Sequence, residues 1–335
     1  MKKFILFGLF ACSAVYGQSI ELQTIFEDKI SIRAIEIYDG KVWYAGAESK
    51  FGYVTLDGLN KKQIQLSDEK LQFRTLGQDM NSFYTISIES PAKFFKVDKK
   101  NLAFNLVKED LDKNAFYDAL HFYKSDEAIT FSDPEDDQNL KLQQFKNGKW
   151  EKVNSSIKLA KGEAAFAASN SNLTSKGNWI WLVTGGKESN VYKLCKKDFN
   201  KIYKYKTPII QGESAQGAYT IDFYDRKNGI IAGGDYTKPE KNVNNIATTQ
   251  DGGKTWQIQA SGQNAGYTTY VGYAPNSKGR TIVAVGDFHI SLSFDRGKTW
   301  KKISDEKGFF TAKWVDENNL VLAGKNKIAK LKIVY

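Results

Sequence analysis

Five carboxylates and two arginines are spaced through the sequence so that their side chains could meet around one ligand. A glycosidase needs two carboxyl groups about 5–9.5 Å apart, one as acid and one as base or nucleophile. The candidates for such a pair are Asp118, Asp133, Glu163, Glu213 and Asp235. Arg33 and Arg74 could hold an anionic group, because a guanidinium presents a rigid fork of N–H donors. Tyr236, directly after Asp235, is a further candidate for ligand binding.

Other chemistries find no support in the residue types present. Two Gly-rich stretches, TGGKES at 184–189 and AGGDYTK at 232–238, lack the strand–helix setting and the G-x-G-x-x-G spacing of a dinucleotide site. His121 and His289 are the only histidines, and Cys195 is the only cysteine beyond position 12. We therefore predict no metal, no cofactor, no intramolecular disulfide and no oxidoreductase activity.

The positive charge is spread along the chain and carried mainly by lysine. The formal net charge is +10, but the lysines lie at turns and strand ends and do not form one stripe with arginines and aromatic residues. Nucleic-acid binders cluster these residue types on one face. We therefore read the lysines as solubilising and edge-protecting, and predict no nucleic-acid partner.

Two nearly identical segments reveal a repeat: TQDGGKTW at 249–256 and SFDRGKTW at 293–300. Their separation of about 44 residues is the length of a four-stranded propeller blade. Both fit S/T-x-D-x-G-x-T-W, the Asp-box, in which Asp caps backbone N–H groups, Gly takes a positive φ and Trp packs on the sheet. The residues assigned to this structural role are Asp251, Gly253, Trp256, Asp295, Gly297 and Trp300.

Buried-strand patterns recur at blade spacing along the rest of the chain, with little helical periodicity. Each ends in small or polar residues, at 42–47, 84–90, 128–134, 180–186, 229–235, 282–287 and 320–324. The last unit lacks a fourth strand, and the strand at 19–26 precedes the first complete unit. The sequence thus predicts one all-β domain, residues 18–335: a seven-bladed propeller of four-stranded antiparallel blades, its last blade closed by the N-terminal strand.

This fold would gather the candidate residues on one face. Arg33, Arg74, Asp118, Glu163 and Glu213 precede the first strands of blades, whereas Asp133, Asp235 and Tyr236 follow second strands. Both kinds of loop open around the central channel, and loop ends on a rigid scaffold commonly carry binding residues. The alternative for each is structural: Asp133 and the glycine pairs could form turns, and the arginines could pair with Asp118 or Glu163.

The N-terminal 17 residues have the pattern of a signal peptide. Lys2 and Lys3 precede an apolar run, and Val15-Tyr16-Gly17 forms a plausible cleavage site. A competing interpretation makes Cys12 the lipid-bearing residue of a lipobox. We predict an exported protein, periplasmic or extracellular, with no transmembrane segment.

Several segments resemble a bacterial family of exported Asp-box (BNR-repeat) propellers. They include SIRAIEIYDGKVWYAGAESKFG, SPAKFFKVD, GEAAFAASNSNL, WLVTGG, GESAQGAY and GIIAGGDY, in this order. That family is related to the photosystem II assembly factor propellers and distantly to sialidases, and its members often carry oxidoreductase or glycosyl hydrolase names. The Asp-boxes are eroded in the first four units. Sialidases of this fold hold the substrate carboxylate with three arginines. In this sequence only Arg33 and Arg74 are placed on the corresponding face.

The hypothesis from sequence is a monomeric, non-catalytic binding propeller. It would engage an envelope protein or peptide through the face around Arg33 and Arg74. A glycan-active hydrolase using two of the five carboxylates, or a non-catalytic glycan-binding module, remains the alternative.

Overall fold

The structure is a computed structural model that describes residues 19–134, 138–154 and 157–334. The predicted signal peptide and Cys12 lie outside these ranges. The described residues form strands, turns and loops and contain no helix. For these residues the predicted all-β architecture is confirmed.

The strands follow one another in short antiparallel runs. The first third of the chain forms β1 (Ser19–Tyr38), β2 (Lys41–Gly46), β3 (Lys50–Thr55), β4 (Lys61–Gln65), β5 (Gly77–Gln78), β6 (Ser82–Ile86), β7 (Ala92–Asp98) and β8 (Phe104–Asp110). The middle forms β9 (Tyr117–Phe122), β10 (Ala128–Ser132), β11 (Lys141–Lys146), β12 (Lys149–Val153), β13 (Glu163–Ala164), β14 (Leu173–Lys176), β15 (Trp179–Val183), β16 (Gly185–Gly186), β17 (Asn190–Cys195) and β18 (Asp198–Lys206). The remainder forms β19 (Gln216–Phe223), β20 (Gly229–Asp235), β21 (Ile246–Thr249), β22 (Gln257–Ile258), β23 (Tyr270–Tyr273), β24 (Ile282–Gly286), β25 (His289–Ser293), β26 (Lys301–Ser304), β27 (Phe309–Trp314) and β28 (Asn319–Val334).

These strands form six sheets, so the prediction of seven blades is wrong by one. Four sheets have four antiparallel strands each: β5–β8, β9–β12, β14-β15-β17-β18 and β23–β26. The sheet β13-β16-β19-β20-β21-β22 gains two short pairings. The first and last units, counted separately in the sequence, form one sheet of order β27-β28-β1-β2-β3-β4. The reason is that β1 runs unbroken through both units.

The predicted pairing of the N-terminal strand with the last unit is present. β1 pairs antiparallel with β28 from Ser19↔Val334 to Ser31↔Lys325, and its second half pairs with β2. β1 therefore joins the last unit, through β28, to the first unit, through β2. This leaves no open edge at the point where the ring closes.

The second strand of most units is buried on both faces, and the fourth strand is exposed. Every residue of β6, β10 and β24 is buried, whereas β4 and β12 are largely exposed and rich in lysine. Neighbouring sheets pack through large rings, as where Trp181 stacks on Phe223 at a centroid distance of 4.0 Å. Burying each such side chain contributes about 1.5–3 kcal/mol. The lysine-rich outer strands resist edge-to-edge association.

The two Asp-box segments form matching turns at the rim. Asp251 Oδ1 accepts hydrogen bonds from the backbone N–H groups of Lys254 (2.9 Å) and Thr255 (3.0 Å). Gly253 has a φ of 85°, and Trp256 Nε1 donates to its carbonyl oxygen at 3.1 Å. Burial disfavours the Asp251 carboxylate, but these hydrogen bonds outweigh it and lower its pKa to about 2. Asp295, Gly297, Thr299 and Trp300 repeat the arrangement.

Candidate binding site at the channel mouth

A bulge in β1 turns Arg33 away from the sheet. Ile32 pairs with Gly46 and Ala34 pairs with Ala45, so Arg33 is an extra residue without a partner on β2. A bulge of this kind bends the strand and redirects a side chain. Arg33 can therefore point into the channel mouth although the residues on either side of it are buried in the sheet.

The same one-residue shift occurs in three other first strands. It leaves Asp118 unpaired in β9, Tyr219 in β19 and Phe310 in β27. The register also advances by one between the Phe73–Ser87 bridge and the Gly77–Tyr84 pair, the interval that contains Arg74. A common construction thus brings chemically different side chains to equivalent places around the ring.

The chain crosses the centre of the ring at residues 165–172, which we call the central segment. It lies between β13 and β14, and its polar side chains bond to strands of several sheets. Ser169 Oγ donates to the Thr269 carbonyl oxygen (2.6 Å), and Asn170 Nδ2 donates to that of Leu76 (2.8 Å). Ser171 Oγ donates to Thr220 Oγ1 (2.8 Å). The central segment therefore ties the ring together.

A cavity of about 540 Å³ opens at this place. Residues 165–168 of the central segment line it, together with residues contributed by most units of the ring. The other lining residues are Arg33, Arg74, Phe116, Asp133, Tyr219, Tyr236, Pro239, Tyr267, Thr269, Asp287, Phe288 and Phe310. Its walls combine seven aromatic rings with two arginines and two aspartates. Tyr236 and Phe288 are 53% and 42% exposed and are accessible to a partner.

Arg33 is held at the cavity wall by two contacts. Its Nη1 donates to the carbonyl oxygen of Ala168 at 2.9 Å, and its guanidinium lies over the Phe310 ring, 4.1 Å from the centroid. Burial and the nearby Arg74 lower the pKa of Arg33 to about 10, against the opposing effects of Tyr267 and Asp287. The side chain is therefore cationic at neutral pH, and among the described residues only the carbonyl oxygen of Ala168 accepts a hydrogen bond from its five N–H donors.

Asp133 and Asp118 form a second charged region beside Arg74. Asp133 Oδ1 is shielded from solvent and has no hydrogen-bond partner among the described residues, and the same holds for both carboxylate oxygens of Asp118. Burial raises the pKa of Asp133 to about 6, although the backbone N–H of Ala165 opposes this. Burial and Asp133 together raise the pKa of Asp118 well above its usual range, against the opposing effect of Arg74.

Within the described ranges, none of the four charged residues lining the cavity forms an ion pair. Arg33 interacts with Asp287, and Arg74 with Asp118 and Glu89, over longer distances. Burial lowers the pKa of Arg74, and those two carboxylates oppose it. Charges withdrawn from water without close partners are unfavourable. The arrangement is suited to a ligand that supplies complementary groups.

The structure brings Arg33, Arg74, Asp133 and Tyr236 together at the cavity, as the sequence predicts. Asp118 lies behind the wall, completely buried, so it does not reach a ligand in this conformation.

Glu163, Glu213 and Asp235 do not line the cavity. Glu163 is buried, and its carboxylate accepts hydrogen bonds from the hydroxyl groups of Thr184 and Tyr192. Glu213 faces solvent, with its carboxylate 3.5 Å from Lys187 Nζ. Asp235 accepts hydrogen bonds from the backbone and hydroxyl of Thr237 within one turn.

Several cavity residues were missed in the sequence. The unpaired residue of each shifted strand is followed by Ala or Thr, in the pairs Arg33-Ala34, Arg74-Thr75, Asp118-Ala119, Tyr219-Thr220 and Phe310-Thr311. Aligning the units on that small residue would have identified Tyr219 and Phe310. Asp287 and Phe288 follow β24 in the same way that Asp133 follows β10. Residues 165–168 had no counterpart in other units from which to be inferred.

The described residues were also compared with the requirements of a metal site and of a membrane-spanning helix. They contain no group of three or more His, Cys, Asp and Glu residues placed to hold a metal ion. No helix among them has the length and apolar character needed to cross a bilayer.

Solved structures match most of the chain at low sequence identity. The structure of YCF48, a photosystem II assembly factor, bound to D1 peptide has a TM-score of 0.68 and 11% identity, covering 94% of this chain and 97% of that one. YCF48 from Cyanidioschyzon merolae gives 0.68 and 10%, covering 94% and 99%. Streptogramin B lyase gives 0.69 and 14%, covering 95% and 98%. No protein-family model and no curated protein sequence matches the chain. The comparisons establish the β-propeller fold.

Proposed function

We propose that this protein is a binding propeller that takes up a peptide or protein segment in the cavity at the channel mouth. The observation that carries the proposal is that Arg33, Arg74, Asp133 and Asp287 surround the cavity without ion pairs among the described residues. A partner with complementary charges would relieve this unfavourable arrangement.

The size and lining of the cavity favour a peptide over a single small molecule of one charge. Its volume of about 540 Å³ lies in the range of ligand pockets, and its lining contains both aromatic and charged groups. Exposed aromatic residues at the rim supply the apolar area that protein partners commonly use. The YCF48 structure with a bound D1 peptide adds support by analogy of fold.

The finer assignments belong to the same proposal. We assign the chain to the exported Asp-box propellers on the strength of its two matching turns, and propose that the mature protein is a monomer in the cell envelope or outside the cell. A protein or peptide of that compartment is the expected partner.

A crosslinking pull-down from cell envelopes tests the proposal. Wild type is compared with Arg33→Gln/Arg74→Gln, and Arg226→Gln/Arg280→Gln serves as a control with the same change of charge at exposed positions. The free energy of unfolding is measured for all three. We expect a specific protein to be captured by wild type and the control and lost with the cavity variant. Equal capture by all three would remove the cavity from the function.

A glycan hydrolase is the second candidate, supported by Asp133, whose pKa near 6 suits a general acid, and by Asp287 in the same cavity. It predicts release of sugars from envelope glycans by wild type and not by Asp133→Asn or Asp287→Asn. Such release would replace the binding proposal with an enzymatic one.

A further inference from the structure

We propose that Asp133 recognises a cationic side chain, lysine or arginine, in the bound segment, while Arg33 and Arg74 hold an acidic group elsewhere in the same segment. This inference rests on the proposed function and adds the charge pattern of the ligand. The partner segment would then be zwitterionic, carrying one basic and one acidic residue.

Among the described residues, no cation forms a salt bridge or hydrogen bond with Asp133. The protein supplies the backbone N–H of Ala165 to this carboxylate, and Oδ1 has no partner among the described residues. Neither carboxyl oxygen of the nearby Asp118 forms a hydrogen bond to it among the described residues, and Arg74 acts on Asp118. Because Asp133 lines the cavity, a cation bound there would give its carboxylate a strong charge-assisted hydrogen bond.

The other carboxylate of the cavity is placed differently. Asp287 lies close enough to Arg33 to favour the charged form of that guanidinium, and it also influences Tyr267. Part of its charge is therefore balanced inside the protein. This contrast selects Asp133 as the position for the ligand's cation.

Two aromatic residues next to the backbone contacts of Asp133 line the same cavity. The backbone N–H of Asp133 donates to the Phe116 carbonyl oxygen at 3.2 Å, and Phe166 follows Ala165, which contacts the carboxylate. Both rings line the cavity. A guanidinium or ammonium group bound there would gain from aromatic rings as well as from the carboxylate.

Affinity selection with defined peptide pools tests the inference. The probes are acetylated, amidated pentapeptides with one fixed Glu and, two positions away, Arg, its neutral isostere citrulline, Lys or norleucine. Each pool is incubated with wild type, Asp133→Asn or Asp287→Asn, and the retained peptides are measured by mass spectrometry. Circular dichroism melting checks that each variant is folded.

We expect wild type to retain the Arg and Lys pools about tenfold or more over their neutral counterparts. Asp133→Asn should abolish this preference yet retain the Glu-containing peptides, and Asp287→Asn should keep the preference. Retention without preference by wild type would overturn the inference and leave peptide binding intact. Retention of no pool would overturn peptide binding by the cavity and this inference with it. A preference that survives in Asp133→Asn and disappears in Asp287→Asn would assign the role to Asp287.

Discussion

Glu163 and the Asp118–Asp133 pair are buried carboxylates with opposite surroundings. Glu163 Oε1 accepts hydrogen bonds from Thr184, Asn190 and Tyr192 at 2.5–2.9 Å, and Oε2 accepts from the Ala160 N–H and Lys204. Asp118 has no hydrogen-bond partner for either oxygen among the described residues. Burial disfavours ionisation at both places, but donors reverse its effect only at Glu163, whose pKa is lowered.

The difference separates a structural carboxylate from one available to a ligand. Glu163 lies on β13, whereas Asn190, Tyr192 and Lys204 lie on β17 and β18 of the neighbouring sheet, so its charge holds two sheets together. The cavity carboxylate Asp133 accepts a hydrogen bond from the backbone N–H of Ala165, and its Oδ1 has no partner among the described residues. A bound partner could supply the missing donors. Position near the channel does not by itself make a carboxylate a binding residue.

The largest expected effect is on Glu163. Glu163→Ala should lower the free energy of unfolding by about 3–5 kcal/mol, because it leaves buried donors and Lys204 without their acceptor. Urea unfolding at pH 7 measures this. Glu188→Ala, at the partly exposed second partner of Lys204, is the control and should cost under about 1 kcal/mol. Equal losses would show that Glu163 is not the centre of this network.

The pH dependence of stability should have opposite signs at the two places. Asp133 has a raised pKa, so its folded form retains a proton that the unfolded chain releases, and stability falls as the pH rises from about 4 to about 6. Asp133→Asn removes this loss, so the variant should gain about 1–2 kcal/mol on wild type across that window. Urea unfolding at pH 4, 5, 6 and 7 measures the difference.

Glu163→Gln is the matched control for that series. In wild type the pKa of Glu163 is lowered in the folded state. The ionised carboxylate therefore contributes stability that is present above pH 4.5 and lost as the pH falls through the folded-state pKa. The penalty of this substitution should therefore shrink in acid. Parallel pH profiles for the two variants would contradict the contrast between the two carboxylates.

The smallest expected effect is at Glu213, predicted from sequence to be a ligand residue. Its side chain is 72% exposed and its carboxylate oxygen lies 3.5 Å from Lys187 Nζ. Glu213→Gln should change the free energy of unfolding by less than about 0.5 kcal/mol and leave peptide retention unchanged. A loss of retention would extend the binding face beyond the cavity.

The strand pattern could be predicted from the sequence because similar units repeat along the chain. The small-residue exits at 229–235 and 282–287 coincide with β20 and β24, and the spacing of the Asp-box turns indicated the blade length. The number of blades could not be predicted in the same way. It depends on whether β1 is one strand or two, and this is decided by its simultaneous pairing with β2 and β28.

The site was predicted in part. Arg33, Arg74, Asp133 and Tyr236 were identified as polar or aromatic residues at loop ends, and they do line the cavity. Glu163 also lies at the entry to a strand, but its carboxylate oxygens accept hydrogen bonds from Tyr192 and Lys204, which are 29 and 41 positions away in the chain. Such contacts leave no trace in local spacing.

The sequence by itself determined the all-β architecture, the antiparallel units and the Asp-box turns, since each depends on side-chain alternation and turn chemistry within a few residues. The tertiary structure alone decided which carboxylates are satisfied, where the central segment crosses the ring, and which bulged residues share a cavity. The physical reason is that hydrogen-bond satisfaction and burial depend on residues from separate units meeting around one axis.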